Sequence, residues 1–77
     1  MLKEIKRRKE AAEESLRNEQ KAQRESELYL REAKKSGDAA AIAAAEEYNR
    51  QMCELVEERN AEIRKIELEY QQEELKN

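Results

Sequence analysis

No proline interrupts this chain, and its only glycine, Gly37, stands near the middle. Away from that point nothing compels the backbone to turn, so long uninterrupted helices are permitted. Histidine, phenylalanine, tryptophan and threonine are also missing. Without histidine there is no imidazole general base and no usual zinc or di-iron ligand set. One glycine cannot build a phosphate-cradling loop. Cys53 is alone, which rules out an intramolecular disulfide, and no histidine is available to activate its thiol. No apolar run approaches the ~18 residues of a membrane span. The opening Met1-Leu2-Lys3-Glu4 lacks the apolar stretch of a signal peptide. These absences set the first expectations: no enzyme, no metal, no cofactor, no membrane, and a soluble, cytoplasmic setting.

What remains is charge and small apolar residues. Of the 77 residues 45% are charged, and the 38% that are hydrophobic are dominated by alanine. Leucine, isoleucine, valine, methionine and three tyrosines complete the apolar set. Such a set fills a thin seam between helices rather than a thick globular core. Abundant Ala, Glu, Lys, Leu and Arg is the composition of coiled coils, although high charge with few aromatics also suits disorder. Periodicity decides between the two. The net charge of −3 is too small to imply a nucleic-acid partner by itself.

The chain's one punctuation mark is Lys34-Lys35-Ser36-Gly37-Asp38. Two lysines suit the carbonyl end of a helix, and glycine suits the left-handed residue that closes it. Asp38 can then cap the next helix. The expected layout is a single hairpin over residues 1–77, with helix one at about 2–35, a turn at 36–38 and helix two at about 39–75. In helix one Leu2, Ile5, Lys9, Ala12, Leu16, Glu19, Gln23, Ser26, Leu30 and Ala33 follow alternating steps of three and four. Helix two repeats the pattern with Ile42, Ala45, Asn49, Met52, Val56, Arg59, Ile63, Ile66, Tyr70 and Glu73. A sustained 3.5-residue period predicts a left-handed supercoil, and a short turn makes it antiparallel. The fold class is therefore all-α, an antiparallel two-helix coiled-coil hairpin able to assemble into a four-helix bundle or larger oligomer. Pairing residues whose numbers add to about 75 sets Ala12 against Ile63 and Ser26 against Asn49, with Glu19 one rung from Arg59. The polar residues are expected to fix register at some cost in stability.

The two flanks of the seam differ. One carries Lys6, Glu13, Gln20, Glu27 and Lys34 with Glu46, Cys53, Asn60 and Glu67, and is expected to be a solvated surface. The other carries Ser15, Ala22 and Tyr29 with Ala41, Tyr48 and Leu55, and Met52 widens it near the turn. A stripe wider than one partner helix needs a third surface, and tyrosine is enriched in interfaces. The candidate interaction site is thus Ala22, Tyr29, Ala41, Tyr48, Met52 and Leu55, with a second copy or another protein as partner. A weaker stripe of Ala61, Leu68 and Leu75 recurs on the far side of helix two. The basic cluster Lys3, Lys6, Arg7, Arg8 and Lys9 has no interleaved aromatics to stack on bases. In the hairpin it runs beside Glu67, Glu69, Glu73 and Glu74, so pairing between helices is the simpler account, and nucleic acid is not expected.

Three resemblances bear on this reading. The two-helix layout resembles the Rop-type plasmid RNA-binding proteins, short hairpins that dimerise into four-helix bundles, though no motif carries over. The tip is similar in placement to the hairpin tip of Gre transcript-cleavage factors, but it offers one acid, Asp38. The stretch from Glu32 through Ser36-Gly37-Asp38 and Ala39-Ala40-Ala41-Ile42 to Tyr48 resembles the idealised loop-and-helix text of computationally designed helical proteins. That resemblance implies a designed structural module, a hairpin that self-associates or binds a protein. The alternative is a natural coiled-coil adaptor or small nucleic-acid-binding regulator that uses the basic N-terminal segment.

Overall fold

The structure is a computed structural model that describes residues 1–76. It consists of two helices, α1 (Leu2–Ser36) and α2 (Ala39–Lys76), packed along each other in a rod of 60 × 14 × 11 Å. The chain is an all-α antiparallel hairpin. No helix among the described residues is long and apolar enough to cross a membrane.

The reversal is built from three consecutive residues, Ser36, Gly37 and Asp38. Gly37 adopts φ 72°, and its N–H donates to the carbonyl of Lys34 at 3.3 Å. Ser36 Oγ donates to the Ala33 carbonyl at 2.6 Å and accepts from the Asp38 N–H at 3.3 Å. Asp38 Oδ1 then accepts from the N–H groups of Ala40 at 3.0 Å and Ala41 at 3.4 Å. One carboxylate thus satisfies free amides at the start of α2 and places a negative charge at the positive end of the dipole. A Cβ at Gly37 would meet nothing within 4 Å, so only backbone strain opposes a side chain there. Gly37→Ala is expected to lower stability by about 1 kcal/mol, read as a fall in the urea midpoint. Gly37→Asn, which tolerates the left-handed region, should cost less.

All twenty residues of the expected seam are buried or half-buried. The buried set is Ile5, Ala12, Ser26 and Ala33 from α1 with Ala45, Val56, Ile63 and Ile66 from α2. Small residues at Ala12, Ala33 and Ala45 let the two backbones approach, since interaxial distance follows the side chains at the contact. Apolar burial is heaviest at the open end, where Ile5, Ala12, Ile63 and Ile66 cluster with Leu16 and Tyr70 against them.

The middle of the seam is polar. Ser26, wholly buried, donates to the Gln23 carbonyl at 2.7 Å and accepts from Asn49 Nδ2 at 2.8 Å. Beyond the Gln23 layer, Arg59 Nε donates to Glu19 Oε1 at 2.8 Å, and Arg59 Nη1 donates to Glu62 Oε2 at 2.7 Å on its own helix. These bonds hold the Arg59 guanidinium above its ordinary pKa, the bond to Glu19 being the largest cause. Among the described residues no buried side-chain nitrogen or oxygen lacks a partner. A satisfied polar layer is what keeps the helices from sliding by a heptad.

Candidate protein-interaction surface

An ion pair near the open end fixes which side-chain rows face each other. Arg8 Nη1 donates to Glu69 Oε2 at 2.9 Å and Arg8 Nη2 donates to Glu69 Oε1 at 3.3 Å. This two-pronged bond holds the Glu69 carboxyl below its ordinary range and the Arg8 guanidinium above its own. It joins the rows lying one residue before Lys9 in α1 and one before Tyr70 in α2. The numbers of Arg8 and Glu69 add to 77, as do those of Ser15 and Glu62, Ala22 and Leu55, and Tyr29 and Tyr48. The register therefore sets Ala22 across from Leu55 and Tyr29 across from Tyr48 on one flank of the rod. Ala41 follows at the tip.

On that flank the two tyrosines and the leucine stand well into solvent: Tyr29 is 56% exposed, Tyr48 44% and Leu55 42%. Ala22 and Ala41 on the flank, and Met52 in the seam beside it, are half-buried. Towards the open end the same flank turns polar through Ser15, Glu62, Arg8 and Glu69. On this flank the apolar residues thus lie in the half nearest the turn.

The opposite flank is less open than its composition suggests. Glu13, Gln20, Cys53 and Asn60 are half-buried rather than freely solvated. Gln23 Nε2 donates to Cys53 Sγ at 3.2 Å, so the thiol lies against the polar layer. A glutamine in the seam near an out-of-place cysteine was the only available signal. Further along this flank Lys6, Lys9, Glu10, Glu13, Glu67, Tyr70, Gln71 and Glu74 line a shallow groove of mixed charge.

No family model, curated protein or solved structure matches this chain.

The backs of the helices carry further exposed apolar residues. Leu68 and Leu75 protrude from the far side of α2, on the weaker stripe, and Leu28 protrudes from the back of α1. Leu28 has no heptad relative and was not anticipated. Its neighbours seven residues away, Lys21 and Lys35, are charged, so it forms no stripe. On α2 Arg50 spans Glu47 and Glu54, which lie one turn before and after it. Such exposed pairs contribute little; nearer the turn the back of α2 is lined by the exposed alanines Ala40, Ala43 and Ala44.

Proposed function

We propose that this chain is a non-catalytic structural and protein-interaction module, a hairpin in the manner of designed helical bundles that docks a protein chain through the flank of Ala22, Tyr29, Ala41, Tyr48, Met52 and Leu55. The observation that carries the reading is the exposure of Tyr29, Tyr48 and Leu55 in one register-aligned patch, whereas the other exposed leucines, Leu28, Leu68 and Leu75, lie on the backs of the helices away from it. Large apolar side chains scattered singly need no explanation, whereas a contiguous patch marks a contact surface. Tyrosine adds a rigid apolar ring with a polar tip, which suits a surface that is wet in one state and covered in another. The design-like character rests on the unbroken heptads and the idealised Ser36-Gly37-Asp38 reversal.

Sedimentation across a concentration series tests the flank. Tyr48→Glu combined with Leu55→Glu should abolish association and leave the helical circular dichroism intact, because both positions lie outside the seam. Association unchanged by the two substitutions would refute the flank as the docking surface.

The nucleic-acid alternative is disfavoured by the engagement of Arg8 with Glu69. A backbone-binding protein keeps such cations free for phosphates, and its affinity falls steeply with salt. Retention of a labelled oligonucleotide is expected to be negligible, and Arg7→Glu with Arg8→Glu should change nothing. Salt-sensitive binding that this pair of substitutions removes would favour the alternative.

A further inference from the structure

We infer that the occupant of the apolar flank is a second copy of this chain, laid alongside in the same direction, with both turns at one end and a two-fold axis along the rod. This rests on the docking reading above and adds the partner and its orientation. Size is the first argument. The apolar half of the flank extends about 20 Å, from Ala22 to the turn, at 1.5 Å per residue. Alone, that strip is well short of the roughly 800 Å² per partner of a standard interface. A strip as long and wide as the whole rod, 60 × 14 Å, reaches that area. Full-length overlap is therefore required.

Two full-length overlaps are available. With the copies head to tail, Tyr29, Tyr48 and Leu55 of one copy would cover Arg8, Ser15, Glu62 and Glu69 of the other, burying charge under apolar rings at a desolvation cost. With the turns together, the apolar half covers itself and the polar half covers itself. Rotation about the long axis keeps each residue at its own level and sets α1 of one copy over α2 of the other. Arg8 then lies across from Glu69 of the second copy, and Glu69 from its Arg8. The flank is complementary to itself in this orientation alone, as an isologous interface requires. The ion pair that closes each hairpin becomes one edge of a four-charge ring spanning both. Cys53, on the opposite flank, stays outside the interface.

The orientation is tested by charge exchange on full-length chains. Two variants, Arg8→Glu and Glu69→Arg, are prepared separately, and circular dichroism checks that each stays helical. Each variant sets like charges against its own copy, while a mixture sets opposite charges across both edges. Association of the mixture is expected to exceed that of either variant alone by on the order of tenfold at low salt, shrinking at ~0.5 M salt. Equal association of mixed and unmixed chains overturns the turns-together arrangement, even if Tyr48→Glu with Leu55→Glu still abolishes association and the docking flank stands. A wild-type chain that is monomeric throughout the concentration series overturns the second copy as the occupant. Association indifferent to both sets of substitutions removes the flank and the arrangement together.

Discussion

Ile63→Ala combined with Ile66→Ala is expected to convert the hairpin from a folded helical rod to a largely disordered chain at room temperature. Both side chains are buried in the open-end cluster with Ile5 and Ala12, where the apolar burial is greatest. Truncating a buried isoleucine costs about 2–5 kcal/mol. The lower end applies here, because a two-helix seam can close partly over the gap. Two such losses sum to roughly 4 kcal/mol, comparable with the ~3–5 kcal/mol a chain of this size can reach from one core. The remaining helices, isolated from each other, would be marginal in water. Far-UV circular dichroism should lose most of its helical signal, while Leu68→Ala, on the exposed stripe, should shift it little. Equal effects at the two sites would mean that the seam is not the stabilising contact.

Ser26→Leu is the second large effect, and its cause is different. Ser26 is wholly buried in the seam, and its hydroxyl is the acceptor for Asn49. A leucine forces extra atoms into that layer, at about 1–3 kcal/mol. It also leaves the half-buried Asn49 amide without its partner, a further cost of about 1–3 kcal/mol. Ser26→Ala separates the two contributions, since it removes the hydroxyl without adding bulk. Chemical denaturation should rank the chains wild type, Ser26→Ala, Ser26→Leu, with a measurable loss at each step. Ser26→Leu together with Asn49→Ala should recover part of the loss by making room and removing the orphaned amide. A stabilising Ser26→Leu would show that the layer has slack and that register is set elsewhere.

The fold was legible because its determinants are local and repetitive. One glycine in a proline-free chain places the turn, and the heptad alternation places twenty seam residues without a slip. The Ser26–Asn49 bond and the Glu19–Arg59 pair follow from the same register, since a short reversal leaves little freedom in how the helices align. The helices each run one residue past the expected ends, Ser36 and Lys76, within the fraying of any helix terminus. The candidate flank was legible for a related reason: positions beside a seam are fixed once the seam is.

What escaped the sequence depends on side-chain reach rather than on spacing. The half-burial of Glu13, Gln20, Cys53 and Asn60 on a flank expected to be solvated is not encoded in a hydrophobic pattern. The partner chosen by Arg8 among several neighbouring glutamates is likewise a matter of level along the rod. That choice turned out to be the most informative contact on the surface, because it supplies the register of the flank carrying Tyr29 and Tyr48.

The most direct test of the account is an intramolecular distance across the hairpin. Spin labels at Arg7→Cys and Leu68→Cys, in a Cys53→Ala chain diluted with unlabelled protein, report the separation of the backs of the two helices at one level. Helices packed 8–10 Å apart put the labels roughly 20–30 Å from each other. A rod running straight through Gly37 would instead separate them by about 90 Å at 1.5 Å per residue, and a distribution centred there would contradict the hairpin and everything built on its register.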